Sequence, residues 1–304
     1  MHKTWLILLI AGVIVVALFM LTAVAAFLFL PIIGDAMAQP QGPVLVYEVD
    51  PDSLAPGRTV DMNKLMRAMN RRLNPGWNKL ARLRILDDQR IEVAVMGKSE
   101  ADVRRVEISL AHNGNLEFRT LANRHDDKSL IDKTLADPSK TKIQNKDGTL
   151  VAWWVAVKPG QESSLTGSDI AIRKTTKAGR QITEVLVLND EYNVTGAYLT
   201  RVNAGVDTQG KPCINFAFNS LGGQLFGELT ETHLPDSISG FSYRLAIIFD
   251  DEVYSAPSIR SRICENGQIT GSFTMDEVEE IVSALNAGTL PARIRPVRSG
   301  TVNQ

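Results

Sequence analysis

The stretch ARLRILDDQRIEVAVM, residues 81–96, places two runs of alternating apolar side chains on either side of Asp87-Asp88-Gln89. Period-two alternation broken by a short polar group reads as two strands, 81–86 and 90–96, joined in a hairpin. Upstream, residues 62–73 set Leu65, Met66, Met69 and Leu73 on one helical face behind Asp61, a suitable N-cap. Asn74-Pro75-Gly76 stops that helix. Downstream, residues 100–111 read as a second helix with Val103, Val106, Ile108 and Leu110 as its apolar set, ending before Asn113-Gly114. Strands at 44–49 and 116–121 bracket the whole. The order is βαββαβ, that of a ferredoxin-like unit, and the expected fold class is α+β.

Residues 123–192 form a less regular connecting α/β segment. A short helix at 129–135 ends before Pro138, and strands follow at 150–157 and 182–188. A second compact unit, 193–298, reads as a mixed α/β subdomain. It has a strand at 214–218 and a helix at 220–232 with Leu221, Leu225 and Leu229 along one face. A hairpin of 245–249 and 253–255 turns at Asp250-Asp251-Glu252, and a strand follows at 268–273. Thr274 and Glu277 make a capping box for a helix at 275–286, which Gly288 and Pro291 end. Residues 293–297 return as a last strand, and 299–304 are a tail.

The N-terminus is of another kind. Residues 5–33 contain no charged side chain. As a helix at ~1.5 Å per residue they would span ~43 Å, against a hydrocarbon core of ~30 Å. Residues 1–34 are therefore expected to be a single transmembrane anchor in contact with membrane lipid, joined by a linker at 35–43. A cleavage pattern at Ala36-Met37-Ala38 offers the rival reading of a signal peptide, but the apolar stretch is about twice an h-region of ~7–15 residues. Lys3 before the run and Asp35 after it place the N-terminus in the cytoplasm and the remainder outside. With no ionisable group inside it, the anchor carries no proton relay.

Thirty-three basic and 34 acidic residues give a net charge of −1, which excludes a generally basic nucleic-acid surface. Arg293, Arg295 and Arg298 form a small basic cluster that reads as a solvated end. Leu221–Gly227 is glycine-rich, but the chain has no dinucleotide or P-loop fingerprint, no G-x-S-x-G and no H-E-x-x-H. Gly223 and Gly227 share a helical face and imply close packing there. Two cysteines and four histidines show no metal or redox spacing. No cofactor, metal or catalytic residue is expected, and the chain does not read as an enzyme. Asp126-Asp127 and Asp250–Glu252 read as turn residues, His112 and His125 as surface residues, and His233 as a helix-end residue. A Cys213–Cys264 disulfide is chemically permitted outside the cytoplasm. Asn193-Val194-Thr195 matches a glycosylation pattern. Trp153 and Trp154 adjoin on a strand and so point to opposite faces; one fills the core and the other, if exposed, offers a large apolar surface to an unfolded chain. Phe226, beside the leucine face of its helix, is a second such candidate.

Several runs resemble the SecD family of protein-export subunits. Asn115–Ala122, with Gly114 before it, is similar to its G-x-L-E-F-R stretch, and Thr195–Thr200 to its T-G-x-x-L segment. Pro212–Phe218 and the helix to Thr230 also match. The fullest likeness runs from Arg244 to Ala292 through Val253-Tyr254-Ser255-Ala256-Pro257-Ser258-Ile259, Gly267–Thr274 and Ala287–Ala292. The resemblance implies the first periplasmic domain of that family, with a base made of 44–122 and the final strand, and a head at 193–292. It implies a place in the bacterial inner membrane with the main domain periplasmic. It also implies SecF-like and SecYEG-like partners and binding of unfolded preproteins during export, for which Trp153, Trp154 and Phe226 are the candidate residues. The alternative is an anchored envelope binding or scaffold module without Sec association. Two departures stand out. Asp250-Asp251 replaces the family's Asp-Gly turn, at ~1 kcal/mol for the left-handed aspartate, which the hairpin is expected to survive. Family members also continue into five further transmembrane helices that carry the proton path, so energy coupling is expected from a partner.

Overall fold

The computed structural model describes residues 42–297 apart from 55–57, 163–164, 166, 168 and 178. The apolar run, most of the linker and the tail lie outside the described residues. Among the described residues no helix is long and apolar enough to cross a membrane. The elements are β1 (Val44–Val49), α1 (Met62–Leu73), β2 (Ala81–Ile85), β3 (Arg90–Val95), α2 (Glu100–Ala111), β4 (Leu116–Thr120), α3 (Lys128–Ala136), β5 (Lys142–Gln144) and β6 (Leu150–Val157). There follow β7 (Ile172–Lys177), β8 (Arg180–Leu188), β9 (Val194–Thr195), β10 (Leu199–Val206), β11 (Pro212–Phe218), α4 (Ser220–Thr232), β12 (Leu245–Phe249), β13 (Glu252–Ser255), β14 (Asn266–Thr270), α5 (Met275–Ala287) and β15 (Ile294–Pro296).

The first sheet is antiparallel in the order β15-β1-β3-β2. Asp61 caps α1 by accepting from the Asn63 and Lys64 N–H groups, and Ser99 with Asp102 makes a capping box for α2. The expected βαββαβ unit is present in order but not in pairing. Strand 116–121 does not close this sheet: β4 pairs with β12 instead, and β15 lies beside β1. The ferredoxin-like strand order is thus completed by residues 294–296. The reason lies in side-chain parity: β4 has apolar groups on both faces, Leu116 and Phe118 on one and Leu121 just past its end on the other, and suits a position covered on both sides. On α2, Val106 and Leu110 face the core while Ile108 lies on the opposite side and is exposed.

Five of the other strands wrap into a closed ring. β4 pairs with β12, β12 with β13, β13 with β6 and β6 with β8. The ring shuts where Leu121 bridges Val187 and the Ala122 N–H donates to the Leu186 carbonyl at 2.9 Å. Leu121, Val155, Val157, Val185, Val187, Ala246, Ile248 and Val253 fill the inside. Alternate residues point outward. Leu245, Ile247 and Phe249 of β12 meet a core shared with the sheet β10-β11-β14, α4 and α5, in which Phe118 packs against Phe216, Phe218 and Phe226 at centroid distances of 5.3, 5.6 and 5.1 Å.

In α4 the buried face is Gly222, Gly223, Phe226, Gly227, Leu229 and Thr230, not the expected line of three leucines; Leu221 is 54% exposed. The glycines decide this rotation. A Cβ at Gly223 would come within 2.5 Å of the Cys264 carbonyl oxygen. The β11–β14 register sets Cys213 opposite Thr270, six positions along from Cys264. That is about 20 Å at ~3.3 Å per residue, against a limit of ~7 Å for a disulfide's Cα atoms. Both thiols are free, which overturns the pairing that composition allowed.

Two crossings join the first sheet to the rest, at 112–115 and 288–293. Arg72, 6% exposed at the end of α1, spans both. Its guanidinium donates to the carbonyls of His112, Asn113 (2.6 Å) and Gly288 (2.7 Å). Burial pulls it down to about 10, with Asp250 acting the other way, so it stays cationic at neutral pH. Asp250 accepts from the Asn113 and Asn115 N–H groups at 2.8 and 2.9 Å. It also stands 3.3 Å from His112 Nδ1, so His112 belongs to the junction rather than the open surface. The hairpin turn keeps both aspartates left-handed, at φ 49° and 66°, which suits a type I′ turn.

Candidate functional site at the barrel mouth

One end of the ring opens into a cleft of about 430 Å³. The parity that sends Leu121 into the barrel also turns Glu117 and Arg119 inward from β4. Trp153 and Val155 face them from β6, and Ile248 from β12 forms the floor. Lys142, Leu150, Asn189 and Asp251 make the rim. Barrel mouths are habitual binding positions, because the wall is fixed by the sheet while the rim is free to vary.

Arg119 is the polar centre and is 5% exposed. It donates through Nη2 to Glu117 at 3.0 Å and to Asn193 Oδ1 at 2.6 Å. Nη1 lies 3.6 Å from Asp190 Oδ1 with no hydrogen-bond partner of its own. The guanidinium carbon sits 5.7 Å from the centroid of the Trp153 ring. Burial pushes the Asp190 carboxyl up, against the pull of Arg119. The centre is thus one cation held by Glu117 and Asp190. It braces the indole. The cleft offers a flat indole, an aliphatic floor, and donors and acceptors of both signs on the rim.

The structure separates the three candidate side chains. Trp153 is half-buried and lines the cleft. Trp154 also borders the cleft, but its side chain packs on the outer face with Ile131 and Leu186, 6% exposed, with Arg173 stacked 4.4 Å over its ring. Phe226 is 1% exposed in the phenylalanine core, which corrects the expectation that it offers surface. Arg119, Asp190 and Asn193 were not singled out as site residues. The available signal was parity: in Leu116-Glu117-Phe118-Arg119-Thr120-Leu121 the two charged residues share a face with Leu121. Among the described residues no group of three or more His, Cys, Asp or Glu is placed to hold a metal.

Residues 170–292 match the family model described as SecDF, P1 head subdomain. A protein translocase subunit SecD of Elusimicrobium minutum is 32% identical over 205 residues, covering 66% of this chain and 38% of the relative. The chain carries a SecD-type first periplasmic domain. The SecD of Rickettsia felis aligns over 260 residues at 24% identity, 85% of this chain and 45% of the relative. The chain therefore spans less than half the length of these SecD relatives. A solved structure described as "Structure and function of a membrane component SecDF that enhances protein export" superposes with a TM-score of 0.54 at 22% identity, over 86% of this chain and all of that one. A second, of SecDF in a super-membrane-facing form, gives 0.54 at 22% identity over 92% of this chain and 34% of that one. At that identity the likeness is one of fold, and it extends over most of the SecD-type domain.

Proposed function

We propose that the chain acts as an accessory of the Sec translocase, holding preprotein segments on the outer face of the cytoplasmic membrane. The observation that carries this reading is the 32% identity over 205 residues to a protein translocase subunit SecD. Residues 5–33 serve as a tether, with the N-terminus in the cytoplasm and the domain in the periplasm. SecF-like and SecYEG-like subunits are its partners. The barrel mouth is the holding surface: Trp153 supplies apolar area at low ordering cost, and the mixed-charge rim accepts extended chain without demanding one sequence.

The test is a photoreactive residue at position 153 in the full chain during active export of a stalled preprotein. Adducts with the preprotein are expected, along with co-purification of Sec subunits. Trp153→Ala should lower capture about tenfold, the effect of roughly 1.4 kcal/mol of lost contact. A chain that captures neither preprotein nor Sec subunits while export proceeds would sink the proposal.

A further inference from the structure

A second groove, of about 710 Å³, lies between α1 and the edge strand β2, far in sequence from the barrel mouth. Arg67, Arg71, Lys79 and Arg82 line it together with Met66, Leu83 and Met96, and no carboxylate is among its described lining residues. All four cations are exposed. Gly76, at φ 59°, makes a left-handed turn at its lip, closed by the Asn78 N–H on the Pro75 carbonyl. On that turn stands Trp77, fully exposed. An indole with no protein contact is costly in water and sits well in the headgroup layer of a bilayer, where its apolar body and N–H are both satisfied.

The sheet register places this surface at the end where the chain arrives from the apolar run. Val44 is opposite Ala94, and Ala81 is opposite Val95. The Gly42 N–H donates to the Val95 carbonyl, and the Met96 N–H to Leu80. Two strand spacings, about 10 Å, thus separate the first residues of β1 from the start of β2. Residues 34–41 are the only chain between the apolar run and the first described residue. Eight residues reach at most about 28 Å. Glu100 and Asp102 also stand at this end, in the first turn of α2, but Asp102 is engaged by Ser99.

We infer that this end of the SecD-type base docks on an anionic lipid surface, with Trp77 in the headgroup layer and the four cations of the groove on lipid phosphates. Charge complementarity and the short tether both select a bilayer as the occupant. The inference rests on the proposed anchoring through residues 5–33.

The full chain is reconstituted in vesicles of phosphatidylcholine alone, or with a minority of phosphatidylglycerol, containing lipids brominated near the headgroup. The difference in quenching between the parent and Trp77→Phe isolates Trp77. Quenching is expected in the mixed vesicles and little of it in phosphatidylcholine. Each neutralised cation should lower the docked-to-undocked ratio about fivefold, so Arg71→Gln with Lys79→Gln should lower it roughly 25-fold. Flotation on pure phosphatidylcholine reports the anchor separately. A chain that floats there, but whose Trp77 is unquenched in mixed vesicles, overturns the docking and leaves the anchor standing. A chain that floats on neither vesicle overturns both. Quenching equal in the two lipids and unmoved by the double variant overturns the role of the cations. Trp77 emission that responds to inorganic phosphate in detergent and not to vesicles assigns the groove to a small anion and overturns the lipid surface.

Discussion

The base sheet and the region beyond the crossings are built from different materials. The base core is Leu, Ile, Val, Met and Ala with Tyr47, and contains no phenylalanine. Its helices cover one face, so β3 alternates at its outer end, and the sheet shuts through three residues of β15. Beyond the crossings, Phe118, Phe216, Phe218, Phe226, Phe249 and Phe273 share one core, and every residue of β12 is buried. Where apolar burial is that dense, packing dominates stability. Where it is sparser, caps and polar closures carry a larger share, and the buried Arg72 is the main one.

Substitutions at four positions test that contrast. The largest effect belongs to Phe226→Ala, which should remove about 3–5 kcal/mol. Hydrogen exchange on the full chain should show the loss in amides of β10, β11 and α4 and spare those of β1–β3. An equal loss in the base would mean that the junction fuses both regions into one cooperative unit. Next comes Arg72→Met, expected to cost about 3 kcal/mol because it strips three carbonyls of a charged donor. Here the base amides should lose protection first, and Arg72→Lys should restore only part, since an ammonium lacks the planar fork that spans two chain segments.

Glu184→Gln asks whether the barrel wall also leans on charge. Burial disfavours the Glu184 carboxylate, but Lys177 and Arg173, each at 2.7 Å, outweigh it and hold the group below its ordinary range. A lowered carboxylate stabilises fully above its unfolded value of ~4.3 and loses that contribution as pH falls through the folded value. The parent should therefore exceed the variant by about 2 kcal/mol at pH 7, and the gap should close in acid unfolding below about pH 4. A gap independent of pH would assign the loss to packing. The smallest effect is a gain: Asp251→Gly should stabilise by roughly 0.5–1 kcal/mol in thermal melts, since glycine adopts φ 66° without strain. Its loss of the ion pair with Arg293 is a surface matter worth less than that.

Much of this was legible beforehand. The hairpin at 81–96, the Asp61 cap, the Thr274–Glu277 capping box and the Asp250-Asp251 turn are local signals, set by residues within a few positions of one another, and they stand as read. The partner of β4 was not legible, because pairing depends on which distant strand offers a matching apolar face. The face of α4 was legible in part: Gly223 and Gly227 pack closely as their spacing implies and Leu229 is buried, but Leu221 turns outward, because glycine rather than leucine sets how closely the helix approaches. At the candidate site, opposite faces for Trp153 and Trp154 followed from strand geometry alone. The face of Arg119 was legible in the same way, from its parity with Leu121, but its burial was not, since Asp190 joins Glu117 beside it only in the fold.

The place of β15 beside β1 also fixes an order of events during translation. Of the described residues, 42–111 are made first, and the strand that flanks β1, with Leu290 and Ala292 of the base core, is made last. Until residue 296 has followed, the earliest-made sheet has three strands and a bare edge, a template for any neighbouring nascent strand. The later-made barrel and phenylalanine core have no such debt and can close first. The described domain is thus finished from its middle outward, and the contact that completes the base is also among the longest in sequence separation, the kind that forms slowly.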